Sequence, residues 1–125
     1  MIFYPKEVND KITTGLNTDE FRCRCNYESC RATIIAIDLV RSYRKFRMFM
    51  NMPLTILSGY RCTLHNHMVE GAALSRHQSG QAIDIYTGNI LEKYTIDQIK
   101  DFARQAGFTF IKYYEEKNFV HLDVR

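Results

Sequence analysis

The chain has 125 residues, a net charge of +3, and 46% hydrophobic and 25% charged residues. That is enough chain for one compact domain, with the apolar content of an ordinary globular protein, and no apolar run nears the ~20 residues of a membrane-spanning helix. The cations are scattered apart from a modest cluster at Arg41, Arg44, Lys45 and Arg47, which reads as a solvated helix face and carries no nucleic-acid motif.

The opening segment, MIFYPKEVND, lacks a basic stretch followed by an apolar one, so it reads as having no secretory signal peptide. The chain is therefore expected to be made in the cytoplasm, and to work there or leave by another route. The segment up to about residue 20 is polar and turn-rich, and Thr18, ahead of Asp19 and Glu20, is placed to cap a short helix. Cys23, Cys25 and Cys30 crowd into RCRCNYESC, with Cys62 standing apart. The spacing C-x-C-x4-C is not one of the usual zinc-knuckle patterns. Reduced thiols, a disulfide pair and ligands of a second structural metal all remain open, and the missing signal favours reduced thiols. A cysteine-based redox protein fits poorly, because no C-x-x-C is present.

A long helix is expected from near Arg31 to Met50, with Ala32, Ile35, Ala36, Leu39, Tyr43 and Phe46 on one apolar face and Pro53 marking its end. Leu54 to Leu57 reads as a strand, Ser58-Gly59 as a turn, and residues 63–73 as holding a short helix. Ala82 to Tyr86 reads as a second strand. Thr95-Ile96-Asp97-Gln98 is a capping box, and Gly107 stops the helix it begins. Thr109 to Tyr114 and Phe119 to Val124 form a terminal hairpin. The pattern is α+β: a small, mainly antiparallel sheet with helices packed on one side. One domain is expected over 1–125, with a cysteine-containing N-terminal segment (1–30) and a core (31–125).

The informative stretch is SRHQSGQAIDIY. In the strand Ala82–Tyr86, Ile83 and Ile85 face one side and Asp84 the other. A carboxylate inside a core sheet is costly unless paired or metal-bound. In Phe119–Val124, the same alternation puts His121 and Asp123 opposite Val120, Leu122 and Val124. If these strands are neighbours, Asp84 and His121 meet, and His77 closes over them from the preceding loop. Three protein ligands with one position open is the catalytic zinc arrangement. The plainer alternative leaves His121 as a hydrogen-bonded edge histidine and pairs Asp84 with Arg61 or Arg76.

The order of motifs adds to this. Ser58-Gly59-Tyr60-Arg61 comes first, then His65-Asn66, Glu70-Gly71-Ala72, and Ser75-Arg76-His77 with Gly80, Ala82 and Asp84; Phe119-Val120-His121-Leu122-Asp123 closes the chain. Over residues 31–125 this series resembles the D-alanyl-D-alanine carboxypeptidase-like zinc peptidases, the family designated M15, in its phage endolysin-like branch. The resemblance implies a hedgehog/DD-peptidase-like fold, with His77, Asp84 and His121 as Zn2+ ligands. It puts Arg61 at the substrate, holding a carboxylate or polarising the scissile carbonyl, with Ser75 and Gly80 shaping the substrate loop. Asn66 and His65 would brace the site, and His67 would be exposed.

Many members carry an acidic residue three positions before the distal histidine. Here that position is Asn118, which cannot act as a base. The expected substitute is Asp123, ahead of Glu115 and Glu116, with orientation of a ligand as its rival role. The implied activity is hydrolysis of peptide bonds in bacterial peptidoglycan by a monomeric phage or prophage lysin. Such a lysin acts after release or as part of a phage particle. The alternative is a non-catalytic zinc-containing binding module of the same fold. Carboxypeptidase, D,D-endopeptidase and L-alanyl-D-glutamate peptidase specificities share these ligands and remain open.

Overall fold

The computed structural model describes residues 1–125. Its main sheet has four strands in the order β5-β6-β8-β7, all antiparallel: β5 (Ile56–Ser58), β6 (Ala82–Tyr86), β7 (Phe110–Tyr114) and β8 (Phe119–Asp123). Alternation divides this sheet cleanly. Ile83, Ile85, Val120 and Leu122 are fully buried on one face. On that side lie α2 (Ile37–Met50) and α4 (Ile96–Ala106), which supply Leu39, Tyr43, Phe46, Ile99 and Ala103 to the same core. Burying each of these large side chains contributes roughly 1.5–3 kcal/mol. The core fixes the register, since a one-residue slip would turn the apolar face outward. The fold is therefore α+β, with an antiparallel sheet and helices on one side.

The strands β6 and β8 fall where alternation puts them, and the terminal hairpin is present as β7 and β8. Asn118 adopts φ 56 at its turn, the left-handed conformation that Asn tolerates better than most residues. The α4 capping box is also as read: Gln98 N donates to Thr95 Oγ1 at 3.2 Å, and Thr95 N donates to Gln98 Oε1 at 2.9 Å.

Three sequence expectations need correction. The first is the helix from Arg31. Residues Ala32–Ile35 form β4, and α2 starts only at Ile37. β4 pairs antiparallel with β1 (Ile2–Pro5), so the N-terminal segment supplies a strand rather than only turns. The β-branched run Thr33-Ile34-Ile35 suits a pleated ladder better than a helix. Asn51 in the left-handed region ends α2, two residues before Pro53. Second, the cap of the short helix α1 (Thr18–Phe21) is Asn17, which follows the hairpin β2 (Lys11–Thr13)–β3 (Leu16–Asn17). Thr18 instead bonds back to residues 8 and 10. Third, β5 begins at Ile56 rather than Leu54; the short helix expected within 63–73 is present as α3, Thr63–Met68. Glu70, at φ 57, and the loop after it carry the chain away from a helical path. No helix is long and apolar enough to cross a membrane.

Candidate metal centre

The outer face of the sheet carries the chemistry. Asp84 on β6 sits directly opposite His121 on β8, and Lys112 on β7 is opposite His121 on its other side. His77 comes from a short 3-10 turn, Arg76–Ser79, which precedes β6. Ser75 caps that turn, its Oγ accepting the His77 N–H at 3.3 Å. Gly80 ends it at φ +70, packed so closely on the Ile34 backbone that a Cβ would collide with the Ile34 carbonyl. Its own carbonyl accepts the Ala36 N–H at 3.0 Å, tying the turn to the strand that the sequence reading missed.

The hydrogen bonds of the two rings determine where their lone pairs point. His77 Nδ1 lies 2.7 Å from the Gly59 carbonyl, which can only accept, so Nδ1 carries the proton. That leaves the Nε2 lone pair of a neutral ring facing Asp84 Oδ1 at 3.2 Å. Nε2 is buried and finds no hydrogen bond, the approach to Asp84 being close but badly aligned. His121 Nε2 lies 2.8 Å from Asp123 Oδ2 and Nδ1 lies 2.9 Å from Asp84 Oδ1, so a neutral ring that donates to Asp123 turns its Nδ1 lone pair on Asp84. In their neutral forms, both rings thus aim a lone pair at one carboxylate oxygen. Acceptor facing acceptor is repulsive unless a cation lies between them. The three ligand atoms lie within 4.8 Å of one another. The donor set, two imidazoles and a carboxylate, suits a zinc-type divalent ion.

The titration behaviour of the metal-free protein has the same origin. Burial opposes the Asp84 charge, but the two imidazoles set against its carboxylate outweigh it and bring its pKa down to about 2. Burial opposes charging of His121 as well, yet Asp84 and Asp123 on either side raise its pKa.

Arg61 lines the same cleft as the triad. Its backbone N–H donates to the His77 carbonyl at 3.0 Å, so the two residues are positioned together. Its Nε is buried without a partner, and no salt bridge joins it to Asp84 or Asp123. Burial outweighs the opposing field of Asp84 and lowers its pKa. Asn66 is buried, and its Nδ2 donates to the Ala72 carbonyl at 2.9 Å, holding the loop that carries Gly71. His67 is exposed.

Asp123 is placed differently from Arg61. It is fully buried. Oδ2 accepts from His121 Nε2 and from an Arg125 guanidinium nitrogen, each at 2.8 Å, and Oδ1 accepts from Arg125 Nε at 3.0 Å. It therefore stands behind His121 rather than in the cleft. Glu115 and Glu116 are exposed and do not line the cleft. The carboxylate that does so beside Asp84 is Glu70, in the motif Glu70-Gly71-Ala72. The cleft, about 530 Å³, also presents Arg76, Lys112, Lys117 and Arg125, and is strongly cationic.

A family model described as Peptidase M15 matches residues 14–123. No curated protein matches the chain at the sequence level. Among solved structures, the L-Ala D-Glu endopeptidase ChiX of Serratia marcescens is similar in fold, with a TM-score of 0.50 and 17% identity over 73% of this chain and 80% of that one. With most of its length matched by the family model, this chain belongs to the peptidase M15 family.

Proposed function

We propose that this chain is a zinc-dependent peptidase that hydrolyses peptide bonds in the stem peptides or cross-links of bacterial peptidoglycan. The observation that carries the proposal is the convergence of the His77, Asp84 and His121 lone pairs at the floor of a cationic cleft. His77 through Nε2, Asp84 through Oδ1 and His121 through Nδ1 would hold the ion. Zinc held there would supply Lewis acidity and lower the pKa of a water toward ~7. The chain's own residues do the rest. Gly59 and Asp123 fix the two imidazoles so that each presents one nitrogen to the cleft. Arg61, with Nε unpartnered, offers a planar bidentate donor to a substrate carboxylate or to the carbonyl oxygen as it gains charge. Ser75 shapes the wall through its cap on the His77 turn.

Proton transfer needs a carboxylate within reach of the scissile bond. We assign it to Glu70, because both oxygens of Asp123 are engaged and buried. Asp123 then acts as a positioning residue. The excess of cations over acids in the cleft favours an anionic peptide, as stem peptides with free carboxylates are. A phage or prophage lysin, working after release or on the particle, is the setting that the basic pI of 8.7 favours, through attraction to an anionic wall. The Serratia structure is of an L-Ala D-Glu endopeptidase, and that bond is the first to examine here.

The experiment is digestion of purified peptidoglycan by zinc-loaded protein, with products read by mass spectrometry. New peptide termini, lost on chelation and in Glu70→Gln, support the reading. Intact peptidoglycan with zinc bound would favour a binding module of the same fold. That reading has one structural observation behind it: the turn position that carries an acid in many members is Asn118, held in a left-handed turn.

A further inference from the structure

A second group of ligands lies outside the cleft. Cys23, Cys25 and Cys30 come from the loop after α1, and Cys62 is the N-cap residue of α3. Their four sulfurs lie within 4.8 Å of one another. Cys62 Sγ is 3.7 Å from Cys23 Sγ and 3.7 Å from Cys25 Sγ. A disulfide holds its sulfurs at about 2.05 Å. Around a tetrahedral zinc, with Zn–S of about 2.3 Å, neighbouring sulfurs stand about 3.8 Å apart. All four cysteines are free, and the observed spacing is that of a tetrahedron's edge.

We propose that Cys23, Cys25, Cys30 and Cys62 form a four-thiolate cage for a structural zinc ion, separate from the His77–Asp84–His121 centre.

The surroundings suit thiolate sulfur. Cys62 N donates to Cys23 Sγ at 3.3 Å, and His65 N donates to Cys62 Sγ at 3.4 Å. The Lys6 ammonium lies 3.1 Å from Cys25 Sγ and donates to the Cys25 carbonyl at 2.9 Å, offsetting the negative charge that four thiolates leave around a divalent ion. Cys23 and Cys30 are buried, and Cys25 and Cys62 half-buried, so the cage is closed by protein on most sides. Four protein ligands and no open position mark a structural rather than a catalytic site.

The cage also has a place in the working of the cleft. Cys62 follows Arg61 directly and caps the helix that carries Asn66. An ion held there clamps the loop after α1 to the base of the Arg61 side chain. It would reinforce the backbone hydrogen bond, Tyr60 N to the Phe21 carbonyl at 2.7 Å, that spans the same gap.

The test measures zinc and iron in protein purified without chelator, for wild type and His77→Ala, alongside thiol titration of the native wild type with a disulfide reagent. Wild type is expected to hold about two zinc ions per chain and His77→Ala about one, with the thiols reacting only after chelation. Cobalt-substituted His77→Ala should show the thiolate-to-cobalt charge-transfer band. A single zinc that His77→Ala leaves in place would support the cage and count against the histidine centre instead. A single zinc that disappears in His77→Ala, free thiols in native wild type, a disulfide found by mass, or iron in place of zinc would each overturn the proposal. The thiol titration needs no cysteine variant, so misfolding cannot mimic the answer.

Discussion

Asp123→Asn keeps the side chain's shape and removes its charge. In the wild type, Asp123 Oδ2 accepts the His121 Nε2 proton at 2.8 Å, and Arg125 grips both oxygens. An amide oxygen still accepts from His121, but its NH2 cannot accept from Arg125, so the carboxylate that holds the ring is replaced by a weaker, less anchored partner. Loss of such support weakens metal binding about 10–100-fold, or about 1.4–2.7 kcal/mol. Arg125 is 43% exposed, so solvent keeps its own charge satisfied, but Asp123 is fully buried and the Asn NH2 is left without a partner, so folding loses about 1–3 kcal/mol. Zinc affinity is read by competition with a chromophoric chelator, and cleavage is then measured at saturating zinc. The expected result is weaker zinc binding, with cleavage largely restored once zinc saturates. Unchanged affinity with cleavage abolished at saturation would refute the positioning role and make Asp123 the proton acceptor.

Other outcomes follow from the same geometry. Arg61→Gln keeps a polar side chain but loses the fork and charge, and should raise KM and lower kcat/KM by about 2–4 kcal/mol of transition-state stabilisation without releasing metal; metal loss would instead make Arg61 a scaffold residue. Gly80→Ala forces a Cβ onto the Ile34 carbonyl at φ +70, so it should lower stability by at least about 1–2 kcal/mol, read as a fall in Tm; an unchanged Tm would mean that the turn relaxes freely. Acidification should release the cleft metal. His121 takes a proton more readily than an ordinary histidine, and only the neutral ring binds zinc, so occupancy should hold at high pH and fall as pH drops through that raised pKa. In the metal-free protein the sign reverses for His121: the stability its charged form contributes is present at low pH and lost as pH rises through the raised pKa. Zinc occupancy that stays flat from pH ~8 to ~5 would remove His121 from the ligand set.

What could be read in advance depended on how local the determining physics is. A capping box and a stop glycine, enclosing the eleven residues of the helix, define α4 without help from elsewhere. The strands β6 and β8 announce themselves by alternation, and with it the shared face of Asp84 and His121. β4 was misread because Ala32, Ile35 and Ala36 fall at helical spacing by coincidence. What makes the segment a strand is β1, some thirty residues upstream. Asp123 shows the limit of alternation. It shares the face of His121, but Arg125, whose guanidinium stacks on the Phe110 ring at 3.9 Å, bonds both of its oxygens, a pairing that alternation does not reveal. The four cysteines have no readable spacing as a set, since Cys62 is brought to the other three by tertiary contacts such as the Tyr60 N to Phe21 carbonyl hydrogen bond.

The most direct test of the account is anomalous diffraction from crystals grown with zinc, recorded above and below the zinc absorption edge. The account predicts an ion bonded to His77 Nε2, Asp84 Oδ1 and His121 Nδ1, with His121 Nε2 still turned toward Asp123. No anomalous peak between these three atoms, or a peak bonded to His121 Nε2, would contradict it.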